Sequence, residues 1–141
     1  MTPLERITER VSRHGDVNDL NTPRPLVTLA EFFEGNDVDG SIGCNLNPMP
    51  TAAEFYQLLK VIAARPDVGE VRVQITMFDN PDEWPFSDTV WVITSASPEE
   101  VASWFDEAVR PDECSAGWPE GAALEPCKVP PGMNPVMCWW D

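Results

Sequence analysis

A single histidine, His14, stands among the 141 residues. A histidine-rich metal site is thereby excluded, and any Ser-His-acid or Cys-His-acid triad would have to be built on this one side chain. His14 lies beside Gly15 in a polar N-terminal segment, a poor place from which to hold an imidazole rigidly against a nucleophile. Basic residues are also scarce: nine Lys and Arg face twenty-four Asp and Glu, a net charge of −15. Such a surface repels phosphate backbones and anionic lipid, which argues against nucleic acid and against a polybasic membrane anchor. No apolar run approaches the ~20 residues of a membrane span and no signal-peptide core is visible, so a cytoplasmic location is expected. Cys44, Cys114, Cys127 and Cys138 contain no Cys-x-x-Cys pair, which removes zinc-ribbon and thioredoxin-like motifs. The acidic turn from Gly35 would place glycine at the first EF-hand ligand position and Leu46 at the twelfth, so that pattern fails at both ends. Gly40-Ser41-Ile42-Gly43 lacks the lysine and following helix of a phosphate loop. No metal and no cofactor is therefore expected.

What is present describes a folded domain. Apolar residues make up 43% and charged residues 23%, and the length suits one domain that buries roughly 65–70% of its unfolded surface. Residues 1–25 read as an arm. Leu4, Ile7 and Val11 form a narrow helical stripe behind Thr2-Pro3, and a proline-rich linker follows through Thr22-Pro23-Arg24-Pro25. A weakly docked helix is expected there. Residues 26–141 read as one α+β domain. Thr28 caps a short helix bearing Leu29, Phe32 and Phe33, which Gly35 ends. Ser41 to Leu46 reads as a short strand. Thr51 and Glu54 form a capping box for a helix whose core face is Phe55, Leu58, Leu59 and Ile62. Val71, Val73, Ile75 and Met77 alternate with polar residues, as in a strand with one dry face. Thr89 to Thr94 is apolar on both faces, so Trp91 and Ile93 need a second cover. Ser97-Pro98-Glu99-Glu100 opens a helix with Val101, Trp104, Phe105 and Ala108 inward. The proline-rich remainder ends in Val136-Met137-Cys138-Trp139-Trp140, too apolar to stay free, and is expected to return as a strand or covering segment. The expected architecture is an antiparallel sheet of three to four strands with helices packed on one face.

The chemistry-bearing residues leave two readings. Residues 73–141 hold thirteen acids against two bases and all six tryptophans, a net charge of −11 against −4 for the first half. Tryptophan among acids suits an interface with a basic partner, since aromatic anchors carry binding energy and charge steers encounter. The loop carrying Asp79, Asp82, Glu83, Trp84 and Asp88 is the expected contact, with Trp118 as a further anchor. The alternative is a small hydrolase or transferase that uses carboxylates or Cys44 in a cleft under the tail. Cys114, Cys127 and Cys138 read as free thiols, with a disulfide or a metal site left open.

The phrases Phe32-Phe33-Glu34-Gly35-Asn36, Ser41-Ile42-Gly43-Cys44-Asn45-Leu46, Arg65-Pro66-Asp67-Val68, Trp84-Pro85-Phe86-Ser87-Asp88 and Trp139-Trp140-Asp141 resemble a group of small acidic bacterial proteins of uncharacterised role. The resemblance spans residues 28–141 and carries no catalytic residue with it. In size, acidity and α+β build the chain also resembles immunity proteins of bacterial toxin systems, which implies a non-catalytic role against a basic partner.

Overall fold

Three of the helix starts are fixed by the same local device. Thr28, Thr51 and Ser97 each accept a hydrogen bond from the amide three residues on, while Glu31, Glu54 and Glu100 reach back to the cap amides. In a computed structural model describing residues 1–141, these caps open α2 (Leu29–Phe33), α3 (Ala52–Ala63) and α4 (Pro98–Ser103). The N-terminal helix α1 (Pro3–Val11) is capped by Thr2. Five strands complete the domain: β1 (Leu26–Thr28), β2 (Val68–Gln74), β3 (Thr89–Thr94), β4 (Glu113–Ala116) and β5 (Asn134–Trp139). They form one antiparallel sheet in the order β1-β2-β3-β5-β4.

The sheet thus has five strands rather than three or four. β1 and β4 are additional; they are three and four residues long and carry no run of alternating apolar residues. The strand expected over Ser41–Leu46 does not form. Gly43 takes φ +69°, and the chain turns there, leaving Ile42 a single bridge to Ser87. A Cβ at Gly43 would lie 2.9 Å from the Phe55 ring, so glycine is required for both conformation and space.

Alternate residues of the strands meet the helices. Val71, Val73, Val90, Val92, Val136 and Cys138 share one buried cluster with Phe32, Phe55, Leu59, Ile62, Val101 and Phe105. Ile7 and Val11 join it at 2% and 1% exposure, so the arm helix packs into the core more closely than its narrow stripe suggests. Met77 is exposed; it lies beyond the last β2–β3 ladder pair, Gln74 with Thr89, and keeps only an isolated bridge to Phe86. Ala108 is exposed because α4 ends at Ser103, five residues earlier. The apolar tail enters the sheet between β3 and β4 rather than lying across it, pairing Val90 with Cys138 and Val92 with Val136.

The opposite face has a non-helical cover. Trp118 packs on Trp91 with ring centroids 4.5 Å apart, and the Trp91 indole N–H donates to Gln74 at 2.8 Å. A Cβ at Gly69 would lie 2.9 Å from the Met133 sulfur, so the segment between β4 and β5 presses on that face.

This cover is tied to the arm through Glu125. Arg10 donates from Nη1 and Nη2 to the two Glu125 oxygens at 2.9 and 2.8 Å, and the Leu26 amide adds a bond at 2.8 Å. His14 Nε2 lies 3.0 Å from Glu125 Oε2, and Arg10 Nε reaches Glu31 at 2.9 Å. Burial pushes the Glu125 carboxyl up. The Arg10 hydrogen bonds, the Leu26 amide and the charges of Arg10 and His14 outweigh it and hold the group below the usual carboxylate range.

Candidate functional site: an acidic groove beside Trp84

The loop between β2 and β3 is held at its base and along its length. Phe86 bridges Met77, Asn18 donates to Phe78 O and Asp79 Oδ1, and Asn80 accepts from the Asp82 amide at 2.9 Å. The Trp84 indole N–H donates to the Phe32 carbonyl at 3.0 Å, fixing the ring against the end of α2. Gly35 follows that helix with φ +78°, and a Cβ there would overlap the Pro3 ring. Glycine therefore lets the start of α1 approach the end of α2.

The space between these pieces is a groove of about 420 Å³. Pro3, Leu4, Val38 and Trp84 give it apolar walls, Asp37, Asp82 and Glu83 give it three carboxylates, and Thr2 and Gly35 complete the lining. No basic side chain lines it, and none of the three carboxylates takes part in a salt bridge. Such a groove can hold an aliphatic stem against an indole while carboxylates meet a cation at its end.

Of the six residues expected at a contact surface, the structure brings together Asp82, Glu83 and Trp84. Asp79 is exposed but bound to Asn18 outside the groove lining. Trp118 lies across the sheet on Trp91. Asp88 is half-buried and accepts from Thr76 Oγ1 and Thr89 Oγ1 at 2.7 and 2.8 Å. Pro3, Leu4, Asp37 and Val38 also belong to the groove; sequence marks Pro3 and Leu4 only as parts of the arm helix and none of the four as a contact residue. An apolar valine inside the polar turn Asn36–Gly40 was the one local signal.

Asp88 instead lines a second hollow of about 230 Å³ with Cys44, Asn45, Ser87, Trp139 and Trp140. Cys44 is exposed. His14 is held by Glu125 and does not line this hollow, so no imidazole serves Cys44 there. A third hollow, about 510 Å³ between α1 and α2, mixes Arg6, Arg10 and Arg13 with Glu9, Glu31 and Glu34. Its charges balance, and Arg10 is already committed to Glu31 and Glu125. Cys127 rests 3.9 Å from Glu70 while Cys114 faces Cys138, so the three tail cysteines do not gather round one point.

The model of the uncharacterised protein YfbO family matches residues 2–138. The chain belongs to the YfbO family. It is 53% identical over 141 residues, all of both chains, to the uncharacterised protein YfbO of Escherichia coli strain K12. The family match extends over the arm, outside the 28–141 span of the resemblance, and in this chain α1 is part of the core. No solved structure matches the chain. No helix of this family member is long and apolar enough to cross a membrane.

Proposed function

We propose that this protein is a non-catalytic binding module whose Trp84 groove receives a lysine or arginine side chain of a basic protein partner. The observation that carries the reading is the set of three carboxylates without salt-bridge partners around a fixed indole, with no base in the lining. A net charge of −15 steers basic partners toward the surface, and Trp84 gives the incoming stem an apolar and π-electron-rich wall. Covering a basic surface in this way is the kind of task an immunity-type protein performs, with the cytoplasm as its setting.

The test is capture from the source cell's lysate on immobilised wild type and on an Asp37→Asn, Asp82→Asn, Glu83→Gln triple variant, read by mass spectrometry. A stoichiometric basic protein held by wild type at low salt, released at high salt and not held by the variant is the expected result. Exposed ion pairs of this kind contribute about 0.2–1 kcal/mol each, so the three together give roughly a 3- to 160-fold difference in Kd. Equal retention by both proteins, or none by either, refutes the proposal.

A second reading rests on the Cys44–Asp88 hollow, where a thiol and a carboxylate lie under Trp139 and Trp140. A small hydrolase or transferase working there would lose turnover in Cys44→Ser and Asp88→Asn while keeping its fold. Unchanged turnover in both variants would remove it.

A further inference from the structure

We propose that Cys114 and Cys138 are a redox modification site, converted to a cross-strand disulfide by exchange with a small-molecule disulfide of the glutathione class. The two residues are direct register partners on β4 and β5, and their sulfurs stand 3.9 Å apart. The Gly117 amide donates to the Pro135 carbonyl at 2.8 Å. Counting back along that antiparallel ladder puts Cys114 opposite Cys138 at a pair that exchanges no backbone hydrogen bonds. At such pairs the Cα atoms lie about 4.5 Å apart and the side chains are closest. Disulfides span Cα separations of about 4.4–6.8 Å, so rotation of the half-buried Cys114 side chain closes the bond without moving a strand.

The chemistry divides between the two thiols by position. Cys114 is half-buried at the edge strand, whereas Cys138 is fully buried in the central cluster. The Cys138 thiol stabilises a thiolate on Cys114, lowering the Cys114 pKa against the opposing effects of burial and Glu113. Cys114 Sγ attacks the small disulfide, forming a mixed disulfide and expelling one thiolate, which takes up a proton. Cys138 Sγ then attacks Cys114 Sγ, its proton passing to the second departing thiolate. Two protein thiols are oxidised by two electrons and one disulfide is reduced to two thiols. Cys44 is exposed and Cys127 faces Glu70, so neither has a neighbouring thiol to resolve its own mixed disulfide.

The bond would join residues 24 apart in sequence and close the segment that carries Trp118 and Glu125 over the second face of the sheet. Oxidation therefore staples that cover at both ends.

The test equilibrates the wild-type protein in buffers of graded reduced-to-oxidised glutathione ratio, alkylates the free thiols and maps peptides by mass. The expected product is a Cys114–Cys138 linked peptide that appears as the ratio falls and disappears on reduction. A rise of several degrees in melting temperature should accompany it. A Cys138→Ser variant should accumulate glutathione on Cys114, and a Cys114→Ser variant should leave Cys138 unmodified. The wild-type mapping stands alone if either variant fails to fold. Absence of the linked peptide in fully oxidised buffer, while Cys44 or Cys127 acquires glutathione, overturns the proposal.

Discussion

Replacing Glu125 with glutamine tests how the arm is held, and with it the wall that α1 gives the groove. The carboxylate is 8% exposed and receives two charged bonds from Arg10, whose side chain is 10% exposed. Removing one partner of a buried ion pair costs about 3–5 kcal/mol. Two contacts reduce that figure here. Arg10 keeps its 2.9 Å bond to Glu31, and the glutamine oxygen can still accept from the Leu26 amide. The expected loss is about 2–3 kcal/mol, or roughly 6–12 °C in melting temperature for a chain of this size. Urea denaturation at neutral pH with an unchanged m-value measures it. The pH dependence has a definite sign. Glu125 and Glu31 both titrate below their ordinary range in the folded protein; at Glu31 burial again opposes, and the Thr28 cap and Arg10 outweigh it. Their contribution is therefore complete above the unfolded carboxyl pKa of about 4.3 and is lost as pH falls through the lower folded values. The gap between wild type and Glu125→Gln should narrow as pH drops from about 5 toward 3. A neutral-pH difference below about 0.5 kcal/mol, or a gap that stays constant through that window, would show that the Glu125–Arg10 pair does not hold the arm.

Gly35→Ala should be destabilised by more than about 1 kcal/mol, because it combines a positive φ with an overlap on Pro3; thermal melting against wild type checks it. Phe55→Ala should cost about 3–5 kcal/mol, since its ring is 1% exposed and packs edge-on to Trp140 at 5.2 Å; a variant that melts like wild type would contradict that packing. Thr51→Ala should cost about 1 kcal/mol by loss of the α3 cap, read in the same denaturation series. Asp82→Asn with Glu83→Gln should leave stability within about 0.5 kcal/mol, because both side chains are exposed and outside any salt bridge; calorimetry decides it.

Much of the fold is legible where the signal is local. The caps at Thr28, Thr51 and Ser97, the stop at Gly35 and the apolar faces of α3 and β3 each depend on residues within a turn or two. What is hidden depends on partners far along the chain. β1 is a strand because Leu26, Val27 and Thr28 pair with Gln74, Val73 and Arg72, and nothing in three residues announces that. β4 is visible only against β5. The cover over Trp91 is irregular, and its position follows from Trp118 and from a Glu125–Arg10 contact spanning 115 residues. The groove has the same character. Its carboxylates and Trp84 stand out by composition, but Pro3, Leu4 and Val38 enter through α1 docking and the Gly35 approach, which local pattern does not report.

A nitrogen-15 NMR titration of the intact protein with a short arginine-containing peptide at millimolar concentration tests directly whether the Trp84 groove takes a basic side chain. If the groove binds the arginine, shifts appear at the Trp84 indole N–H and at the amides of Val38, Asp82 and Glu83. They should diminish with added salt and be absent in the Asp37→Asn, Asp82→Asn, Glu83→Gln variant. Shifts confined to other acidic stretches, or the same shifts in the variant, would contradict binding in the groove.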